Sequence, residues 1–153
     1  MAASAHDAYL EHKILSADPA ELVAMLYAKA IESVERARRH LAAGRIADRS
    51  SAISKAVEIL MELNASLDPA RAPEMCGRLA GLYDYMERRL LDANFRQSDA
   101  PLAEVLGLLG TLAEAWKTVS GRGASLYRPP AEASWTPPAG ASEPQPDLHC
   151  WSF

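Results

Sequence analysis

Histidine is the residue type in this chain best suited to proton transfer, phosphate acceptance or metal binding. The histidines are His6, His12, His40 and His149. None lies four positions from another, and none follows a glutamate at the Glu-x-x-His spacing. The sequence therefore predicts no metal site of the helix-bundle type. His40 is the one histidine in a strong helical pattern, where it could accept a phosphoryl group, but it comes at the end of that helix beside Arg38 and Arg39.

The other groups that could do covalent chemistry are the thiols of Cys76 and Cys150. Two cysteines so far apart are too few for a disulfide-stabilised secreted scaffold, which favours free thiols in a reducing compartment. Nothing marks either thiol as a nucleophile, and the chain has no glycine-rich phosphate loop. We therefore expect no catalytic residues, no cofactor and no metal, and we interpret the chain as a non-enzyme.

The charge pattern excludes several further classes of protein. The 153 residues carry a net charge of −4, with acidic and basic residues interspersed. A nucleic-acid binder would concentrate basic residues on one face, so nucleic acid is not an expected partner. No run of about 18 apolar residues predicts a membrane span. The first residues, MAASAHDAYLEHK, lack the pattern of a signal peptide, so we expect a cytoplasmic protein.

Proline and glycine divide the first 120 residues into four segments with helical periodicity. A helix is predicted to begin at Asp18-Pro19 and to end near Gly44, because aspartate caps, proline suits the first turn and glycine suits the C-terminus. A second ends before Asp68-Pro69, a third begins at Pro73, and a fourth is capped by Ser98 or Asp99 and closed by Gly121.

Apolar residues recur in these segments at intervals of three or four. The predicted core positions are Leu22, Leu26, Ala30, Val34, Ala37 and Leu41 in the first helix; Ile53, Val57, Leu60, Leu63 and Leu67 in the second; Met75, Leu79, Leu82, Met86, Leu90 and Ala93 in the third; and Leu102, Val105, Leu109, Leu112, Trp116 and Val119 in the fourth. Because the connections are short, neighbouring helices should run antiparallel. The expected fold is an all-α, up-down four-helix bundle over residues 17–120.

Two terminal segments flank this bundle. Residues 1–16 are expected to add a short helix around residues 9–15. Residues 121–153 hold six of the ten prolines and are predicted to be disordered, because such a composition buries too little apolar surface. The tail ends in Trp151 and Phe153, which could form a docking motif, could fold back, or could belong to an extension without a fixed partner.

The second and third helices carry more apolar surface than one bundle core should need. On a helical wheel, the large apolar residues of the third helix spread over about 240°, from Tyr85 to Leu91, and those of the second over about 200°, from Ile59 to Met61. An amphipathic helix needs a stripe only a little wider than about 100°. The surplus could complete the core, face a second layer, or form an exposed patch for a partner.

Several segments, in this order and spacing, resemble the flagellar secretion chaperones of the FliS family. They are ADPAELVAMLY at residues 17–27, KAVEILMEL at 55–63, LYDYMERRLLDAN at 82–94, and AEV and AW at 103–105 and 115–116. The resemblance covers about residues 8–120. It implies a non-enzymatic chaperone that binds the disordered C-terminal part of flagellin in apolar grooves, blocks premature polymerisation and aids delivery to components of the flagellar export apparatus.

The resemblance also implies that the N-terminal segment near Tyr9 covers an apolar groove in the free chaperone. Taken with the helical wheels, it makes six residues candidates for client contact. They are Tyr9, Ile59, Met61, Leu79, Tyr83 and Leu91. Two alternatives remain at this point, a small helical phosphotransfer or enzyme module and an oligomerising bundle without a client.

Overall fold

The computed structural model describes residues 19–123, without the side chains of residues 120–123, and residues 126–127. Its four helices are α1 (Pro19–Ala42), α2 (Ile46–Ser66), α3 (Pro73–Arg96) and α4 (Asp99–Gly123). The principal contacts join α1 to α2, α2 to α3, α3 to α4 and α4 to α1. The predicted all-α four-helix bundle is confirmed. The helix predicted around residues 9–15, like Tyr9, Trp151 and Phe153, lies outside the described residues.

Most helix boundaries lie at the proline, glycine and aspartate residues predicted from the sequence. α1 begins at Pro19, α3 at Pro73 and α4 at Asp99, as expected. Gly44 follows α1 with a φ of +69°, a left-handed conformation that glycine adopts without steric cost. The predicted end at Gly121 is wrong, because α4 continues to Gly123. Glycine inside a helix costs only about 1 kcal/mol, so it permits an end without forcing one.

The buried positions agree with the predicted periodicity over most of the bundle. Residues buried as expected include Ala30, Val34, Ala37, Ile53, Leu60, Leu63, Met86, Leu90, Ala93, Leu102, Val105, Leu109 and Trp116. In the first halves of α1 and α3 the most buried side chains lie one residue later than predicted, at Val23 and Tyr27 and at Cys76 and Tyr83. This small rotation of both helices brings two tyrosines into the centre.

A cluster of tyrosine hydroxyls occupies one end of this core. The Tyr27 and Tyr83 hydroxyl oxygens are 2.6 Å apart, those of Tyr83 and Tyr127 are 2.6 Å apart, and those of Tyr27 and Tyr127 are 3.3 Å apart. A buried hydroxyl costs free energy unless it is hydrogen-bonded, and here each has a partner. Burial raises the pKa of Tyr83 and of Tyr127 above the ordinary tyrosine value. Both neighbouring tyrosines raise the pKa of Tyr83 further, and Tyr27 raises that of Tyr127.

Tyr127 lies in the segment that was predicted to be disordered. Its side chain is buried, and its backbone pairs with Leu67 in an isolated antiparallel bridge. The Asp68 backbone N–H donates to the Leu126 carbonyl oxygen at 2.8 Å. Leu126 and Tyr127 therefore pack against the bundle, because one large aromatic side chain supplies the burial that the average composition of the tail does not. The boundary at residue 121 stays a prediction.

The opposite end of the α2–α3 pair is joined by a buried arginine. The Arg49 guanidinium donates from Nε to Asn94 Oδ1 at 3.1 Å and from Nη2 to the Asn94 carbonyl oxygen at 3.4 Å. Ser50 Oγ donates to the same Oδ1 at 3.0 Å. These bonds set the register between the start of α2 and the end of α3.

The buried tyrosines predict how stability depends on alkaline pH. The unfolded chain releases tyrosine protons near pH 10, whereas the folded chain retains those of Tyr83 and Tyr127. Because the unfolded state then binds fewer protons, the free energy of unfolding should fall as pH rises, by about 1.4 kcal/mol per pH unit for each retained proton. In urea titrations between pH 9 and 11.5, Tyr83→Phe should show a shallower fall. Parallel profiles for the two proteins would contradict this.

Arg49→Ala should lower the free energy of unfolding by about 1–3 kcal/mol, because it leaves the Asn94 carbonyl and amide oxygens with fewer donors. Arg36→Ala, at an exposed position of α1, is the control and should change stability by less than about 0.5 kcal/mol. Urea denaturation followed by circular dichroism measures both. Equal losses for the two variants would show that the Arg49 contacts contribute nothing specific.

Candidate functional site

Large apolar side chains remain exposed on the bundle, and α3 carries most of them. In the described part of the chain they are Ile46, Met61, Met75, Tyr85, Leu91, Phe95 and Val119. Leu91 is 56% exposed, and Phe95, one helical turn later, is 88% exposed. Such a group of apolar side chains on a surface is typical of a protein–protein contact.

The exposed residues Met61 and Leu91 lie along the seam between α2 and α3. The seam is bounded at one end by the bond from Asn64 Nδ2 to Asp84 Oδ1, at 2.9 Å, and at the other by the bonds to Asn94. Between these bonds, Met61 of α2 and Glu87 of α3 line one hollow, with Asn64 and Ala65. Leu91 follows Glu87 by one helical turn. We call Met61, Glu87, Leu91 and Phe95 the α2–α3 seam.

Glu87 gives this apolar seam one strong hydrogen-bond acceptor. Its Oε1 atom is buried and has no hydrogen-bond partner among the described residues. Burial raises the pKa of the Glu87 carboxyl, and the nearby Asp84 carboxylate raises it further. The Glu87 side chain must rotate outward before an N–H or O–H donor on a bound segment can satisfy this oxygen. The seam would then combine apolar contacts with one polar contact that fixes orientation.

The neighbouring α3–α4 surface is closed by polar contacts instead. Arg89 Nε donates to Glu104 Oε2 at 2.8 Å, and the Tyr85 hydroxyl donates to the other oxygen of the same carboxylate. These two bonds hold the pKa of Glu104 below its ordinary value. Arg89 also pairs with Asp92 across 3.2 Å. Although Tyr85 is partly exposed, its hydroxyl is engaged within the bundle.

The six predicted contact residues differ in how far their side chains are exposed. Met61 is 57% exposed and lies on the seam with Leu91, whereas Leu79 is half-buried against the core. The side chains of Ile59 and Tyr83 are buried in the bundle, and their contact with a client stays a prediction. Each helix of the bundle packs against two neighbours, so its buried arc is wider than an amphipathic stripe and includes them. Tyr9 lies outside the described residues.

Glu87 and Phe95 are seam residues that the sequence reasoning missed. Phe95 follows Leu91 by four residues, so the same wheel could have included it. Glu87 carries no sequence signal, because only the packed structure shows that one of its oxygens is buried without a partner.

The structure also shows the surroundings of the side chains that could bind a metal or react as nucleophiles. No cluster of three or more metal-ligating side chains occurs within residues 19–123 and 126–127. The Cys76 thiol is buried, and His40 Nδ1 is buried without a hydrogen-bond partner among the described residues. None of the described helices is both long and apolar enough to span a membrane.

Comparison with known proteins identifies the family. The family model described as "Flagellar protein FliS" matches residues 1–123. A protein named "Flagellar secretion chaperone FliS" from Salmonella typhimurium strain LT2 is 42% identical over 112 residues, which cover 72% of this chain and 83% of the relative. Proteins of the same name from Escherichia coli K12 and Bacillus subtilis 168 are 34% and 32% identical, over 71% and 73% of this chain and 80% and 83% of the relatives. These relatives are named as chaperones and not as enzymes, and the chain belongs to the FliS family.

Proposed function

We propose that this FliS-family protein is a cytoplasmic export chaperone for flagellin. It binds the disordered C-terminal region of flagellin, prevents premature polymerisation and aids delivery to the flagellar export apparatus. The observation that carries the proposal is the α2–α3 seam, where Met61 and Leu91 are more than half exposed on a bundle whose relatives are named secretion chaperones.

The seam favours an amphipathic helix as the bound form of the client. Apolar residues one turn apart on the client would cover Met61, Leu91 and Phe95, and a donor between them would bond to Glu87 Oε1. Fully burying a side chain of this size stabilises a complex by about 1.5–3 kcal/mol, and less for one already half-buried. Ordering a disordered segment costs several kcal/mol, so the complex needs more contacts than these residues alone supply.

Further contacts are therefore part of the proposal. Leu79 lies on α3, half-buried against the core, and its outer surface can extend the client site toward the start of that helix. Tyr9 belongs to the segment that precedes α1, and we propose that it covers apolar surface in the free chaperone. Ile59 and Tyr83 support the site from the core, because their side chains have no exposed surface to offer a client.

Aspartate substitutions on the seam test this assignment. Met61→Asp and Leu91→Asp should each weaken flagellin binding by at least about tenfold, since an ionised carboxylate cannot be buried against an apolar client without a partner. Val119→Asp is the matched control, because Val119 is 46% exposed on α4, away from the seam and from Leu79. It should change affinity less than about twofold. Isothermal titration calorimetry gives the affinities, and circular dichroism confirms folding.

The same titration should use flagellin truncated at its C-terminus. The proposal expects no binding to that protein. Equal binding of full-length and truncated flagellin, or binding of neither, would contradict it. If the seam instead joins two copies of this chain, Met61→Asp would lower the mass measured by light scattering and leave flagellin affinity unchanged.

A further inference from the structure

The tyrosine cluster contains a side chain that does not come from the bundle helices. Tyr127 lies beyond the end of α4 and beyond residues 1–123, which the family model matches. Its side chain is only 2% exposed. The Trp116 ring meets the Tyr127 ring edge-on, with centroids 5.4 Å apart and planes at 86°. A short segment outside the helices thus places one ring inside the core.

The cavity that holds this ring is polar at its inner end. Tyr27 and Tyr83 bond to each other, and Tyr127 completes a ring of three hydroxyls. Each hydroxyl can donate one hydrogen bond and accept others. Without the third hydroxyl, one buried donor among Tyr27 and Tyr83 would have no acceptor in the cluster. The cavity therefore favours a phenol over a benzene ring of nearly the same shape.

The backbone beside this ring is bonded to the chain that follows α2. The Leu126 carbonyl oxygen accepts the Asp68 N–H, and Tyr127 pairs with Leu67 as in an antiparallel strand. The Cys76 thiol lies beneath, with its Sγ atom 3.5 Å from the Asp68 carbonyl oxygen and 3.8 Å from that of Leu126. For residues 126 and 127, the described part of this segment, the backbone–backbone contacts are the Asp68 hydrogen bond and the Leu67 bridge. Regions held by few such contacts open locally without unfolding the rest of a protein.

We propose that Tyr127 is a releasable plug in a phenol-specific socket formed by Tyr27, Tyr83, Trp116 and Cys76, and that a tyrosine of another peptide segment is the ligand that replaces it. The socket lies at the end of the core and does not use the exposed side chains of the α2–α3 seam. The inference is therefore independent of the flagellin proposal. Release of the plug would expose both the aromatic socket and the Cys76 thiol.

The test uses the full chain with Cys150→Ser, so that Cys76 is the remaining thiol. Adding Tyr127→Ala should preserve the helical circular dichroism signal and speed the reaction of Cys76 with a thiol reagent by at least about tenfold, because the thiol loses its cover. Millimolar 4-methylphenol, the side chain of tyrosine as a free molecule, should slow that reaction again. Toluene, which lacks the hydroxyl, should protect clearly less.

Two further variants test whether the change in Cys76 reactivity depends on the Tyr127 hydroxyl and on the site of substitution. Tyr127→Phe keeps the ring and removes one hydroxyl, so Cys76 should react at an intermediate rate and 4-methylphenol should have no effect. Val119→Ala, at an exposed position of α4, should react like the parent. The proposal is overturned if Tyr127→Ala reacts no faster than the parent or loses its helical signal, or if toluene protects as well as 4-methylphenol.

Discussion

The hydrogen bond between the Tyr27 and Tyr83 hydroxyls, 2.6 Å long, joins two helices that are not neighbours in the bundle. It fixes how α3 is rotated about its own axis. Each step of four residues along an α-helix turns the side chain by about 40°. From the fully buried Tyr83, the turn through Glu87 leads outward to Leu91 and then to Phe95, which are 56% and 88% exposed. The exposure of the seam is thus a consequence of the orientation of the Tyr83 side chain into the core.

Two other seams of the bundle are crossed by charged pairs. Arg38 and Asp99 form a two-bond pair between α1 and α4, with distances of 2.7 and 2.8 Å, and this pair holds the pKa of Asp99 below its ordinary value. Arg89 and Glu104 form a single bond between α3 and α4, at 2.8 Å. Within the described residues, large exposed apolar side chains and a buried carboxylate oxygen without a partner occur together along α2 and α3.

The sequence predicted the helices and their order well, because Pro19, Gly44, Pro73 and Asp99 act through local backbone chemistry. It could not predict the rotation of α3. The apolar arc of α3 spans about 240° and has no unique centre on a wheel, so the wheel did not show that Tyr83 would be fully buried. The burial of Tyr127 could not be predicted either, because a single buried ring outside a periodic segment leaves no pattern in the sequence. Met61 and Leu91, at the ends of their arcs, are exposed, but Ile59, at the other end of the α2 arc, is buried, so the wheel alone does not predict exposure.

The central claim is that flagellin binds along α2 and α3 through its C-terminal region. Photo-crosslinking tests directly whether flagellin contacts α2 and α3. A photoreactive phenylalanine is placed in turn at the positions of Met61, Leu91 and Val119. The linked flagellin peptides are identified by mass spectrometry. The account predicts crosslinks from the positions of Met61 and Leu91 to the C-terminal region of flagellin, and none from the position of Val119. Equal crosslinking from all three positions, or links confined to other parts of flagellin, would contradict it.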